Sequence, residues 1–262
     1  MQITAIILLM FFIGWLFWQR RKKSPATITF PPGFRNILQE KVGFYSSLGE
    51  SEKITFEKRM LHFLDHVRIT GVNTTVDDED RVFVAASAII PIFAFDNWEY
   101  INLNEVLLYP GSFNEQYELK GDAERPVLGM VGNGAMQQVM ILSQHSLKEG
   151  FSTQAGNHNT AIHEFVHLVD KTDGDIDGIP ESLLSKQYIL PWINLVHRVI
   201  KEMPGKYRDI NPYGATNQGE FFAVVSEYFF ERPDLLQSKH PALYELLEKI
   251  FRQDPAKQYE VK

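Results

Sequence analysis

His163-Glu164-Phe165-Val166-His167 sets two imidazoles four residues apart, with a carboxylate beside the first. On an α-helix, positions i and i+4 share a face, so both rings can bind one metal ion. Glu164 then stands beside an open coordination position, where it can take a proton from water. A catalytic zinc site needs a third protein ligand. Asn217–Phe230 supplies two candidates, Glu220 and Glu227, in a stretch so aromatic that it must be buried, and a buried carboxylate needs a cation or metal to stay charged. Seven residues apart, the two fall on one helix face, and spacing does not choose between them. Asn217-x-x-Glu220 also reads as a capping box. Tyr213 offers a phenol that could donate to the oxyanion of a tetrahedral intermediate, or simply pack in a turn. Asp170, three residues after His167, could orient a ligand imidazole or charge the helix end.

Three other signals are weaker. Asp173-Gly174-Asp175-Ile176-Asp177-Gly178 matches the first half of a calcium loop, but Leu184 stands at the twelfth position and Pro180 lies inside, so a solvated turn is the better reading. His145 and His158 read as surface or satisfied histidines.

The elements that must position these groups follow from periodicity and punctuation. Phe34–Leu48 reads as helical, and so does Ser51–His66 behind the capping pattern Glu50-Ser51-Glu52-Lys53. Asp77–Ile92 is a third helix, acidic at its start and stopped near Pro91. Trp98–Tyr109 and Val127–Ser143 read as short strands broken by glycines. Asn159–Asp170, Ser182–Met203 and Gly219–Glu231 read as helices, with Asn159-Thr160 capping the first. Helices, a few strands, then helices predict an α+β domain, mostly helical with a small sheet.

The chain has 262 residues, 44% apolar, and contains no cysteine. It can bury a core without a disulfide framework, and thiolate metal sites are excluded. Ile3–Trp18 holds a single polar residue, Thr4, and is followed by Arg20-Arg21-Lys22-Lys23. A helix over Met1–Gln19 reaches roughly 28 Å, close to the hydrocarbon thickness of a bilayer. Residues 1–23 are therefore expected to be an uncleaved anchor in the inner membrane, 24–33 a proline-containing linker and 34–262 the functional domain. The basic flank would place that domain in the cytoplasm; a wholly cytoplasmic protein is the alternative. Outside the basic flank, 22 cations face 33 anions, which argues against a nucleic-acid partner.

From about Phe34 to Asp254 the chain resembles the Mlc titration factor A family of zinc metallopeptidases. The resemblance rests on Phe56-Glu57-Lys58-Arg59, Ala85-Ala86-Ser87-Ala88, Leu108-Tyr109-Pro110-Gly111-Ser112-Phe113, His163–Asp170, Asp177-Gly178-Ile179-Pro180 and Glu220–Phe230 with Pro233. It implies a zincin-like fold of gluzincin type, with a catalytic centre similar to that of anthrax lethal factor. One zinc ion would be held by His163, His167 and Glu220, with Glu164 as general base and Tyr213 as transition-state donor. The resemblance thus selects Glu220 over Glu227. It also suggests aminopeptidase-type activity on peptides, for which Glu227 or a residue near Gly129–Asn133 would hold the substrate amine. The hydrophobic N-terminus departs from the family's soluble members, and nothing in the sequence identifies a surface for the Mlc repressor. The alternative function is a membrane-tethered binding module that sequesters a regulatory protein partner, with peptidase activity secondary. A structural zinc domain is disfavoured, because such sites close all four positions, commonly with cysteine.

Overall fold

The computed structural model describes residues 30–112, 128–132, 137–152 and 156–260. The hydrophobic run expected to be an anchor lies outside these residues. Among the described residues no helix is long and apolar enough to cross a membrane.

The chain enters through α1 (Pro32–Lys41), where proline at the first helical position is already fixed near the helical φ. The single helical stretch expected over Phe34–Leu48 is two helices. Val42 is extended and buried, and α2 (Gly43–Ser47) starts afresh after it. α3 (Glu50–His66) begins one residue earlier than expected, and its N-cap is Gly49, whose backbone N–H donates to Glu52. α3 explains its Phe-Glu-Lys-Arg run. Glu57 is buried and accepts from Arg35 Nε and Tyr45 Oη, both at 2.6 Å. Arg59 donates to the carbonyls of Ile92 (2.9 Å) and Phe93 (2.8 Å). Those carbonyls belong to the end of α4 (Asp78–Ile92), capped at its start by Asp77 and Asp80 in a reciprocal box. Buried from Val82 to Ile92, α4 is the central helix of the core.

The sheet has four strands in the order β1-β2-β4-β3. β1 (Arg68–Gly71), β2 (Glu105–Tyr109) and β4 (Val139–Ser143) are parallel, and β3 (Gly129–Val131) runs antiparallel at one edge. The strands are shorter than predicted. Residues 98–103 form turns because Tyr100 is drawn into the core, where its hydroxyl donates to Ala88 O at 2.7 Å. The second predicted strand is two, β3 and β4, with residues 133–136 between them outside the description.

After the short helix α5 (Gln144–Gly150) comes α6 (Thr160–Asp170), every residue of which from Ala161 onward is buried. A single 3-10 turn (Lys171–Asp173) ends it. α7 (Lys186–Lys206) starts later than expected, because Leu183 and Leu184 turn into the core first. A 3-10 segment (Pro212–Ala215) leads to α8 (Gln218–Glu231), and α9 (Pro233–Lys239), α10 (Pro241–Phe251) and α11 (Pro255–Glu260) close the chain. Each of the last three begins with proline. α6 packs most extensively on α8 and on α4, and its other side meets β3. Trp192 and Phe251 hold α8 from behind, with Phe222 and Phe251 stacked at 5.8 Å.

The Asp173–Gly178 loop is a structural turn. Asp170 Oδ2 accepts from the Gly178 N–H at 2.8 Å, and Trp192 Nε1 donates to Gly178 O at 2.6 Å. Gly178 has φ +77°, and a Cβ there would lie 2.4 Å from Gln218 O at the start of α8. The end of α6, the middle of α7 and the first turn of α8 are thereby keyed to one glycine. Gly178→Ala is expected to lower Tm by about 5–10 °C and to reduce metal content in parallel, measured by thermal unfolding and elemental analysis.

Candidate metal centre

Asn159 caps α6, its side-chain oxygen accepting from Ile162 N at 3.1 Å. That start fixes the helix phase and turns His163 and His167 to one side, their rings 4.7 Å apart. α8 begins under the cap of Asn217, whose Oδ1 accepts from Glu220 N at 2.9 Å. The Glu220 side chain does not complete a capping box. It turns to the histidines, with Oε2 at 3.0 Å from His163 Nε2 and 3.4 Å from His167 Nε2. Donor atoms of His163, His167 and Glu220 all lie within 4.8 Å of one another, the one group of three or more such side chains among the described residues. Two imidazole nitrogens and one carboxylate oxygen suit zinc and other first-row divalent ions.

Glu227 lies two turns along α8 and serves the opposite edge of the same imidazole. Its Oε1 is 2.6 Å from His163 Nδ1, and its Oε2 accepts from Asn159 N at 2.9 Å. In a neutral, metal-bound imidazole the carboxylate would keep the proton on Nδ1 and leave Nε2 toward Glu220 for the metal. Glu227 is buried and committed, so it is not available to hold a substrate amine. Asp170, read as orienting an imidazole or charging the helix end, accepts from Gly178 N. His167 Nδ1 is buried without a hydrogen-bond partner among the described residues.

The charges follow from this geometry. Burial disfavours the imidazolium of His163, but Glu227, Glu220 and Glu164 outweigh it and raise its pKa to about 10. Burial likewise opposes ionisation of Glu220, yet His163 and His167 hold it well below the usual carboxylate range. A divalent cation bound by these groups would replace the imidazolium proton, so metal binding would release it. Burial pushes Glu164 up, against the pull of His163 and His167. That is the direction a general base near neutral pH requires.

Glu164 is buried at 6% exposure beneath β3. A Cβ built on Gly129 would stand 2.6 Å from Glu164 Cγ and 2.7 Å from its Oε1, so only glycine leaves the carboxylate where it is. Sequence reasoning placed Gly129 near the site only as a guess at amine binding; its close approach to Glu164 is tertiary. Tyr213 is half exposed, its ring 6.2 Å from that of His163. His158 stands 3.9 Å from Glu227 with its side chain mostly exposed, and His145 is exposed on α5. Asn159, expected only as a cap, also supports Glu227.

A helix presenting two histidines to a carboxylate from a second helix, beside a small mixed sheet, has the form of a metal-dependent peptidase centre. The family model of the glucose-regulated metallo-peptidase M90 matches residues 16–252, and the chain belongs to that family. It is 29% identical over 251 residues to the uncharacterized protein slr2042 of Synechocystis sp., covering 92% of this chain and 90% of the relative. It is 29% identical over 182 residues to Mlc titration factor A of Pectobacterium atrosepticum, 63% of this chain and 65% of the relative. To the Mlc titration factor A of Salmonella arizonae it is 28% identical over 220 residues, 79% of this chain and 84% of the relative. The resemblance drawn from the motifs therefore holds, and the chain is a metallopeptidase.

Gly129→Ala is expected to lower kcat by more than about tenfold while metal content stays at the wild-type level. Glu227→Gln replaces one of two acceptors with a donor, so either the Asn159 bond or the acceptor for a protonated His163 Nδ1 is lost. Metal affinity is expected to fall by about 10- to 100-fold with the circular dichroism spectrum unchanged, as competition with a chelator would measure.

Proposed function

We propose that the protein is a zinc-dependent peptidase of aminopeptidase type, with His163, His167 and Glu220 as zinc ligands. The observation that carries this reading is the convergence of those three donors beside the buried carboxylate of Glu164. The ion, when bound, supplies Lewis acidity toward a peptide carbonyl and a water. Glu164 accepts a proton from the attacking water as its oxygen bonds to the carbonyl carbon, then returns it to the leaving nitrogen as the C–N bond breaks. Tyr213, exposed beside His163, donates its hydroxyl proton in a hydrogen bond to the developing oxyanion. Glu227 holds the His163 ring in its working orientation throughout. The N-terminal hydrophobic run with its basic flank supports a membrane-tethered enzyme whose domain faces the cytoplasm.

A second reading, sequestration of a regulatory protein, draws on the name of the relatives called Mlc titration factor A. The two readings separate at Glu164, since sequestration does not need a base.

The test is metal content measured beside hydrolysis of aminoacyl-anilides by the full chain. One zinc per chain and chelator-sensitive turnover are expected, with Glu220→Ala losing both. Glu164→Gln is expected to retain zinc and lose turnover. Retained full activity in Glu164→Gln removes the base assignment, and a metal-free wild type after zinc reconstitution overturns the reading. Tyr213→Phe is expected to lower kcat by about 10²-fold with KM little changed in steady-state assays.

A further inference from the structure

A cavity of about 680 Å³ opens on the far side of Asn159 from the metal centre, between α1, α2, α4, the end of α5 and the C-terminal turn of α8. That volume is in the range of small-molecule sites. Phe44, Phe83, Phe151 and Phe230 line it. Phe83 and Phe151 stack at 4.3 Å, and Phe44 meets Phe230 edge-on at 6.5 Å. Phe44, Phe83 and Phe230 are buried, and Phe151 is the half-buried ring among the four; an open aromatic face attracts an organic cation.

The cavity also contains a carboxylate with no counter-ion among the described residues. Glu231, one helical turn beyond Glu227, accepts from Asn159 Nδ2 at 2.9 Å through Oε1; its other oxygen has no hydrogen-bond partner among the described residues. The two lysines at the lining are paired with other carboxylates, among them Glu79, which lines the cavity too and lies 3.7 Å from Lys148. Lys41 pairs with Glu79, and Lys148 lies 2.7 Å from Asp77 and 3.3 Å from Asp80. Glu40 adds a second carboxylate to the lining, with no basic partner among the described residues. Burial, together with nearby Glu227, lifts the Glu231 carboxyl to about 8, the behaviour of an acid missing its cation.

We propose that this cavity binds a small organic ammonium ion, with Glu231 as its counter-ion and Phe151 as the aromatic face beside it. The bound cation would sit behind Glu231, whose partner Asn159 bonds to Glu227 and so to His163. Binding itself is independent of the peptidase reading and is tested without reference to turnover.

The experiment titrates the full chain with butylammonium chloride at pH 8.5, and in parallel with 1-butanol, by ligand-observed NMR. Butylammonium is expected to bind saturably, with 1-butanol at least about tenfold weaker. Glu231→Gln keeps an acceptor for Asn159 and removes the charge; it is expected to weaken butylammonium binding by about tenfold or more. Phe151→Leu, at the half-buried edge of the cavity, is expected to weaken it by about threefold or more. Equal binding of the two probes overturns the proposal, as does wild-type affinity in Glu231→Gln. If Glu231→Gln fails to fold, the comparison of probes and the Phe151→Leu variant decide the matter on their own.

Discussion

Two carboxylates of α8 grip opposite edges of one imidazole, and the rest of the molecule is arranged so that they can. Glu227 takes Nδ1 of His163 from below while Glu220 reaches Nε2 from the open side. A buried imidazole between two buried or half-buried acids is costly unless every partner is in place, because charge left unpaired in a poor dielectric is expensive. The α6–α8 contact is therefore more than apolar packing. It sets the ring orientation, the tautomer and the spacing of the candidate metal ligands in one step. Asn159 extends that control by capping α6 and supporting Glu227 at the same time, so the helix start and the imidazole share one anchor.

The distance in sequence between His167 and Glu220 makes this arrangement demanding. The intervening chain is held by contacts around Gly178, where a buried carboxylate ends α6, an indole marks α7 and a carbonyl opens α8. A side chain at that position would collide with the α8 backbone, so the approach of the two helices is limited by a missing Cβ. Gly129 plays the same part on the opposite face, where β3 comes close enough to confine Glu164. Both glycines act by absence: one admits the Gln218 carbonyl at the start of α8, the other the carboxylate of Glu164.

Much of this was legible in the residues. The helix carrying His163 and His167 followed from its apolar pattern and cap, and the acidic start of α4 and the aromatic face of α8 were equally plain. Spacing did not choose between Glu220 and Glu227, since residues seven apart share a face whatever their partners, and only the family resemblance selected Glu220. Strand limits near Tyr100 and the break at Val42 were also hidden, because core burial overrode local propensity there. Asp170 shows the opposite error: three residues from His167 suggests a partner for an imidazole, yet its carboxylate is spent on the Gly178 loop.

Local rules determined from the sequence alone that a helix would present two imidazoles and a carboxylate, that α8 would be buried, and that the domain would be mixed with a small sheet. These depend on spacing within one element, and 3.6 residues per turn is the same in every context. Only the tertiary structure decided that Glu220 faces the histidines and Glu227 stands behind one of them, that Gly129 confines Glu164, and that Glu231 is left facing a cavity. Each of those depends on how far one element approaches another. That distance comes from side chains remote in the chain, and periodicity within a single element carries no record of it.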